Sequence, residues 1–222
     1  MTTMHATTRK RVLEAACRLF AEKGYRGATI AAICRSAGAN IAAVNYYFGN
    51  KAGLYEAAWE YADSRAREIY GGPGEAEDPR AVVMGHIRRL VLMIFDPGPG
   101  GWLPRLVRRD LATGGELTMR MYARFIAPRF RRLEEAVAAL LGASREHFEV
   151  RCVSGYIQSM CVFLNIGIKA RRHFFGAETP GSDQVERMIR NMQEFATGGL
   201  GRFAAPFDLP GEGGGGGRGP ES

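Results

Sequence analysis

Cysteine and histidine are scarce in this chain and form no pattern that binds metal or supports thiol chemistry. The 222 residues contain four cysteines, Cys17, Cys34, Cys152 and Cys161, with no CxxC pair and no Cys/His spacing of a zinc site. Cys152 and Cys161 lie nine residues apart on one predicted helix, so their Cα atoms are over ~13 Å apart and a disulfide is excluded. The four histidines lie outside any carboxylate pattern. We therefore expect no catalytic residue, no metal and no cofactor.

The sequence also lacks a strand pattern, a signal peptide and a convincing membrane span. No segment alternates apolar and polar residues with the period of two that predicts a strand. The N-terminal run MTTMHATTRKR has no apolar signal-peptide core. The uncharged residues 152–168 are shorter than the ~20 apolar residues of a span and include Ser154, Gln158, Ser159 and Asn165. They predict a helix buried on two sides, within an all-α cytoplasmic protein of about nine helices.

Acidic residues are rare in the N-terminal quarter. Residues 1–55 contain eight Lys or Arg against Glu14 and Glu22, a local balance of +6 within a whole-chain charge of +7. A basic segment suits an anionic partner, although a modest overall excess is common in proteins that touch no nucleic acid. The position of the charge is therefore more informative than its size.

Residues 29–54 have the pattern of two short helices joined by a tight turn. Ile30, Ile33 and Ala37 share one helical face, with Thr29 as the N-cap. Gly38 and Ala39 form the turn, and Asn40 caps the next helix. That helix is predicted to point Ile41, Val44 and Phe48 inward and to leave Ala42, Ala43, Asn45 and Tyr46 exposed. The arrangement predicts a helix-turn-helix, whose second helix enters the DNA major groove.

The segment Thr8–Trp59 resembles the N-terminal domain of TetR-family transcriptional regulators. The resemblance is carried by TRKRVLEAACRLFAEKGYRGAT, by Ile30–Gly38 and above all by NIAAVNYYFGNKAGLY. It implies a DNA-binding regulator, usually a repressor, that a small molecule releases from a palindromic operator. The DNA-binding candidates are Thr29, Asn40, Ala42, Ala43, Asn45, Tyr46, Tyr47 and Lys51.

Lys51 is a candidate for a phosphate contact both by its position in the helix and by the resemblance. A cation in the first turn of a helix opposes the helix dipole, but a phosphate docked on the same N-terminus would reverse that effect. The family uses a lysine here for a phosphate contact, and the alternative is a solvated side chain. Of Tyr46 and Tyr47, at least one should present its hydroxyl to the DNA backbone, because two adjacent tyrosines cannot point into one core.

The C-terminal region resembles, through RLVRRDLATGGELTMRMYARFIAPRFRRLEEAVAALLG, the ligand-binding half of the CecR-like subgroup of that family. We therefore predict a helix-turn-helix domain at residues 8–55, a ligand-binding and dimerisation domain at 56–204, and a disordered Gly/Pro tail at 205–222. Ligand-binding candidates are polar or aromatic residues that can also be plain core: Trp102, Met121, Phe125, Gln158, Cys161 and Asn165. If Gln158 and Asn165 are buried, each needs a partner from a ligand, a water or a second subunit.

Pro, Gly and capping residues mark the predicted helix boundaries. The helices are expected at about 8–23 with Gly24 as the stop, from Lys51, at 79–95, 102–112, 116–141 with a bend or split at Pro128, 144–174 capped by Ser144, and 183–203.

The long apolar helix is predicted to contribute to a homodimer. One of its faces holds Val153, Tyr156, Met160 and Leu164, and another holds Gly155, Val162, Ile166 and Ala170. Because one domain core covers a single face, we expect the second, with Met192 and Phe195, to pack against its symmetry mate as a four-helix bundle.

Partners are then an operator DNA duplex, a small-molecule effector and a second copy of the chain, with no membrane. The alternative function is a helical small-molecule-binding protein without a DNA-dependent role.

Overall fold

The computed structural model describes residues 2–72, 78–111, 115–165, 172–173, 176 and 180–204. In these residues the chain forms ten α-helices and no strand, which confirms the all-α prediction. No helix among them is both long and apolar enough to span a bilayer. The helices are α1 Thr2–Gly27, α2 Ile30–Ala37, α3 Ile41–Phe48, α4 Lys51–Tyr70, α5 Pro79–Phe95, α6 Trp102–Leu111, α7 Glu116–Phe125, α8 Ala127–Leu141, α9 Phe148–Phe163 and α10 Ser182–Ala204.

The first core lies under the N-terminal helices. On α1, Val12, Leu13, Ala16 and Phe20 are buried because they recur on one helical face. Gly24 has a φ of 72° and interrupts the helical geometry there, as predicted, although a last turn to Gly27 follows it.

That core extends into later helices, since it includes Trp102, Leu106, Met121 and Phe125 from α6 and α7. The domain boundary after residue 55 stays a prediction.

The second core lies between α5, α8, α9 and α10. Its buried side chains are aliphatic, apart from one cysteine, and come from all four helices: Val83, Ile87, Val91, Leu133, Val137, Val150, Val153, Cys161, Val185 and Ile189. Most of the predicted ligand-binding half therefore closes around apolar residues, so any polar group inside it needs a specific partner.

A compact junction ties the end of α4 to the turn between α5 and α6. The Tyr70 hydroxyl donates to Asp96 Oδ2 at 2.9 Å. Arg105 donates to the carbonyl oxygens of Gly101 at 2.8 Å, Asp96 at 3.0 Å and Gly98 at 2.8 Å. These bonds satisfy carbonyls at the end of α5 and fix α6, which packs on α1. The junction therefore connects α4 and α6, which contribute to the first core, with α5, which contributes to the second.

Two predictions about the C-terminal helices have different outcomes. Pro128 splits the 116–141 segment as expected, with the break at Ile126. Ser144 was expected to cap the next helix, and that prediction is wrong. The Ser144 hydroxyl donates to Glu146 Oε2 at 3.2 Å, residues 144–147 form a turn, and α9 begins at Phe148. A capping residue can equally close a turn, so its presence does not fix the helix start.

The predicted faces of α9 need one correction. Val153 and Leu164 are buried, but Tyr156, assigned to the same face, is 61% exposed. The side chains at 153 and 156 point about 60° apart around the helix axis. This difference is enough for Val153 to lie within the packed face of α9 and for Tyr156 to lie outside it. Ile166, Ala170, residues 73–77 and the tail 205–222 lie outside the described residues.

Candidate nucleic-acid interface

Three side-chain caps shape the segment from α2 to α4. Thr29 Oγ1 accepts the Ala32 N–H at 3.1 Å and Asn40 Oδ1 accepts the Ala43 N–H at 2.8 Å. Between them, Gly38 has a φ of 59°, the left-handed conformation that closes α2. Both N-cap predictions are confirmed, and the turn lies where the sequence places it.

The connection from α3 to α4 is equally tight. Asn50 Oδ1 accepts the Gly53 N–H at 3.0 Å and begins α4. A Cβ on Gly53 would overlap the carbonyl oxygen of Phe48, so only glycine fits where the two helices meet. The start of α4 is therefore held closely against the end of α3.

The outer face of α3 is neutral and accessible. Ala42, Asn45 and Tyr46 are exposed, Tyr46 by 79%, whereas Val44 is fully buried. Tyr46 and Tyr47 meet edge to face with centroids 5.0 Å apart, and Tyr47 is half-buried. Small and hydrogen-bonding side chains without a carboxylate suit close approach to base edges.

Ile41 was predicted to point inward, and that prediction is wrong. Its side chain is 53% exposed. Ile41 is the first residue of α3 and lies on the same helical face as Val44, but the neighbouring helices do not cover this first turn. Periodicity gives the direction of a side chain and not how far the partner helix extends.

Lys51 has partners inside the chain. Its Nζ donates to the Arg26 carbonyl oxygen at 3.4 Å and lies 4.8 Å from the centre of the Tyr25 ring. Partial burial lowers the pKa of Lys51 from its ordinary value. The ammonium thus sits at the end of α1, where the helix dipole favours a cation, and it retains N–H donors for a second partner.

Other basic side chains are exposed on α1 and α2, the helices that contact α3. Arg9, Lys10, Arg11, Lys23, Arg26 and Arg35 are exposed, and the same region holds only two glutamates. The Arg9 guanidinium lies 5.5 Å from the centre of the Phe48 ring, which places a positive charge beside the end of α3. Exposed positive charge on helices next to a neutral α3 is what contacts with flanking phosphates require.

Comparison with known families agrees with this geometry. Residues 12–58 match the model of bacterial regulatory proteins of the TetR family. Residues 79–200, more than half of the chain, match the C-terminal domain of the HTH-type transcriptional dual regulator CecR. The chain belongs to the TetR family. The resemblance in both halves is thereby confirmed.

Curated relatives match mainly in the N-terminal region. The chain is 40% identical over 53 residues to the probable HTH-type transcriptional regulator YttP of Bacillus subtilis, covering 24% of this chain and 26% of that protein. It is 33% identical over 98 residues to the HTH-type transcriptional regulator BetI 1 of Chromohalobacter salexigens, covering 42% and 45%. The matched segments thus span between about a quarter and just under half of these relatives.

Solved structures share the fold along most of the chain. The fatty acid degradation regulator FadR from Bacillus halodurans superposes with a TM-score of 0.63 at 15% identity, covering 87% of this chain and 96% of that one. HlyIIR, a hemolysin II transcriptional regulator, superposes with a TM-score of 0.58 at 20% identity, covering 84% and 97%. At such low identity the likeness concerns the fold alone.

Membership settles the broad class. TetR-family regulators are non-enzymatic DNA-binding proteins, so the prediction that the chain is not an enzyme is confirmed. Regulators of this family bind DNA operators and small-molecule effectors and act as dimers. Within the described ranges, no group of three or more His, Cys, Asp or Glu side chains could hold a metal ion.

The six ligand-binding candidates do not lie in one cluster. Trp102, Met121 and Phe125 are buried in the first core, whereas Cys161 is buried in the second. Asn165 Nδ2 donates to the Pro104 carbonyl oxygen at 2.9 Å.

Gln158 Oε1 lies 2.8 Å from His86 Nε2. Both amides therefore have partners within the chain, and each links α9 or its end to an earlier helix.

Sequence analysis missed a buried ion pair between α4 and α8. Asp63 is 5% exposed and accepts from Arg129, which also donates to the Phe125 carbonyl oxygen at 2.7 Å. Arg67 donates to the other Asp63 oxygen at 2.8 Å. A carboxylate one turn after Trp59, on the buried face of α4, was the signal that could have revealed it.

His86 and Arg89 lie near this pair. Burial, followed by the charges of Arg89 and Arg129, lowers the pKa of His86 to about 4 despite its bond with Gln158, so the ring is neutral at pH 7. An amide oxygen only accepts, so the neutral ring donates its Nε2–H to Gln158. Burial, together with the charges of Arg129 and Arg132, also lowers the pKa of Arg89, which donates to the Gly72 carbonyl oxygen.

Proposed function

We propose that this protein is a dimeric repressor that binds a palindromic operator through α3 and is released from it by a small-molecule effector. The observation that carries the proposal is the outer face of α3, with Ala42, Asn45 and Tyr46 exposed and free of carboxylates. Thr29, Asn40, Ala43, Tyr47 and Lys51 flank that face as the remaining DNA-binding candidates. Side chains that read bases differ from those that hold phosphates, and the proposal assigns both kinds.

The assigned roles differ along the surface. Ala42, Ala43 and Asn45 lie toward base edges, and an asparagine can make two hydrogen bonds to adenine. Thr29, Tyr46, Tyr47 and Lys51 are assigned to the phosphate backbone. Asn40 holds the N-terminus of α3 in place and lies where that helix would enter the groove.

The dimer is proposed to form through the last two helices. Val162 and Phe163 of α9 are exposed, Tyr156 by 61%, and Phe195 of α10 by 76%. Large apolar side chains concentrated on two neighbouring helices favour a protein–protein contact over solvent. Such an interface would space two copies of α3 along the duplex, as paired half-sites require.

Sedimentation velocity tests the dimer. Phe195→Glu places a charge in the proposed contact and should give monomers at micromolar concentration that keep their helical content. Met119→Glu, at an exposed apolar position on α7, is the matched control and should remain dimeric. A monomeric wild type, or a dimeric Phe195→Glu protein, would contradict this interface.

Fluorescence anisotropy with DNA flanking the protein's own gene tests the function. Binding should be specific for a palindrome, weaken steeply with salt and disappear in the Phe195→Glu monomer. The alternative, a helical small-molecule-binding protein without a DNA role, predicts no salt-dependent binding to any fragment. Reporter transcription that rises when the gene is deleted would establish repression, and a fall would contradict it.

The salt dependence of DNA binding tests the phosphate contact proposed for Lys51. Lys51→Ala should weaken binding to all sequences alike and lower the salt slope by about one unit per half-site. Asn45→Ala should instead change which bases are preferred. Arg145→Ala, a cation in the turn before α9, is the control. Unchanged affinity and salt slope for Lys51→Ala would mean that the ammonium serves only its bonds to α1.

A further inference from the structure

A chain of polar groups crosses the interior from α4 to α9. Asp63 on α4 pairs with Arg129 on α8, whose charge reaches His86 on α5, and His86 binds Gln158 on α9 at 2.8 Å. Arg89, one turn after His86, adds a second guanidinium to the same region. Arg89 itself donates to the Gly72 carbonyl oxygen after α4. Polar side chains of four helices are thus linked, α4 to α8 and α5 to α9 by hydrogen bonds, and α8 to α5 by charge.

Two buried polar atoms without a partner belong to the helices at which this chain of groups begins and ends. In the described part of the protein, the buried side-chain nitrogen and oxygen atoms that lack a hydrogen bond are Trp59 Nε1 and Ser154 Oγ. Trp59 lies one turn before Asp63 on the same face of α4, and Ser154 lies one turn before Gln158 on the same face of α9. Buried polar groups are almost always bonded, so two unbonded atoms, one helical turn before Asp63 and one before Gln158, point to a missing partner.

The chemistry of that partner follows from the donors. Trp59 Nε1 can only donate, and so can the guanidinium groups of Arg89 and Arg129. On the acceptor side Asp63 is shared between Arg129 and Arg67, and Gln158 is taken by His86. Arg89 and Arg129 also donate to the carbonyl oxygens of Gly72 and Phe125, but the only carboxylate recorded on either guanidinium among the described residues is that of Asp63. Positive charge therefore exceeds negative charge at these two side chains, which favours an anion rich in acceptors.

We propose that a small-molecule carboxylate binds between α4, α5, α8 and α9, with its anionic group on Arg89 and Arg129 and its remaining polar atoms on Trp59 and Ser154. The proposal deepens the effector role proposed above by giving the effector a chemical class. Of the six sequence-derived candidates it retains Gln158, as the partner of His86, and it assigns no contact to Trp102, Met121, Phe125, Cys161 or Asn165.

The site also explains how an effector would reach α3. A bound carboxylate competes with Asp63 for Arg129 and so loosens the tie between α4 and α8. Asp63 lies on the helix that begins at Lys51, beside the end of α3. When the bound carboxylate takes the place of Asp63 on Arg129, α4 is held less firmly to α8. Because α4 begins beside α3, this change would alter the position of the proposed DNA-binding surface.

Isothermal titration of the full chain tests the site without DNA. The probes are octanoate, benzoate and glutarate, each beside its neutral amide at equal ionic strength. At least one carboxylate should bind with a Kd below about 1 mM, at least tenfold tighter than its amide. The indole N–H signal of Trp59 should shift in the NMR spectrum on binding.

Adjacent arginines provide a matched pair of variants. Arg89→Gln should weaken the carboxylate at least about tenfold, as expected when one charged hydrogen bond of a buried anion is lost. Arg88→Gln removes the same group one residue earlier, where it pairs with Glu186 on the surface, and should change the Kd less than about twofold. Ser154→Ala, a small change in a buried position, should weaken the carboxylate and its amide together.

The outcomes separate the two proposals. Carboxylates that bind no better than amides, equal losses in Arg88→Gln and Arg89→Gln, or no binding below about 10 mM would overturn the carboxylate site, whatever happens with DNA. Carboxylate binding that depends on Arg89 but leaves operator affinity unchanged would support the site and contradict its effector role.

Discussion

The hydrogen bonds that shape the α2–α4 segment are local, whereas those that organise the interior of the C-terminal half span the chain. Thr29, Asn40 and Asn50 each accept an N–H three residues ahead. The pair Asp63–Arg129 joins residues 66 positions apart, and His86–Gln158 joins residues 72 apart. Short-range hydrogen bonds therefore shape the candidate DNA-binding surface, whereas the packing of distant helices forms the interior polar cluster.

This difference has an energetic side. A helix cap contributes about 1 kcal/mol. Its loss affects no other interaction, because water can reach the backbone amide that the cap had bonded. A buried ion pair that loses one member leaves a charge without water or partner, at several times that cost. The two regions should consequently respond to substitution on different scales.

Asp63→Ala should give the largest effect. It leaves Arg129 and Arg67 without their shared carboxylate and should lower the free energy of unfolding by about 3–5 kcal/mol. Glu60→Ala, on the same helix, removes an exposed partner of Arg124 and should cost less than ~1 kcal/mol. Urea denaturation measures the free energy of unfolding of both variants. Equal decreases would contradict the expected difference between the interior and the surface ion pair.

Acid should act on the same region through His86. Its pKa is about 4 when folded and about 6.5 when unfolded, so the unfolded chain binds the extra proton between these values. Stability from this residue is present above about pH 6.5 and is lost as the pH falls toward 4, by up to ~1.4 kcal/mol per pH unit. Urea titrations at several pH values should show this slope, and His86→Gln should flatten it. A slope that survives the substitution would assign the effect to other groups.

Gly53→Ala probes the α3–α4 connection. The added Cβ meets the backbone oxygen of Phe48, so we expect a loss of about 1–3 kcal/mol and weaker DNA binding as α3 shifts. Gly85→Ala is the control, because a Cβ there meets nothing and alanine favours a helix, by about 1 kcal/mol. If both variants gain stability, the two helices are less tightly apposed than described.

Asn40→Ala should lower stability only modestly. Loss of the cap of α3 should cost about 1 kcal/mol, measured by thermal or urea unfolding. Asn45→Ala, exposed on the same helix, should leave stability nearly unchanged while altering base preference. A larger loss at Asn45 than at Asn40 would mean that this surface is not governed by local capping.

Several structural features were predictable because their cause is local. The caps at Thr29 and Asn40, the turn at Gly38 and the split at Pro128 all depend on backbone chemistry within a few residues. The pattern of Ile33, Ala37 and Val44 likewise identifies the face that packs inward. Two wrong predictions were the burial of Ile41 and the start of α9 at Ser144. The burial of Ile41 depends on whether a neighbouring helix covers the first turn of α3, and the start of α9 on whether Ser144 closes a turn or caps a helix.

The interior cluster could not be predicted in this way. Asp63, His86, Arg89 and Arg129 are separated by up to 66 residues, and no spacing among them marks a site. Trp102, Met121 and Cys161 were reasonable ligand-binding candidates by residue type, yet the fold assigns them to two apolar cores. Residue type alone does not tell which buried group lacks a partner.

By itself the sequence determined the helical class, the helix-turn-helix and its capping residues, because helix propensity, capping and turn geometry act over three to seven positions. Only the tertiary structure decided that Asp63 meets Arg129, that His86 meets Gln158 and that Trp59 Nε1 and Ser154 Oγ remain without partners. Those contacts follow from the relative placement of α4, α5, α8 and α9, which the packing of apolar faces fixes and no local pattern encodes.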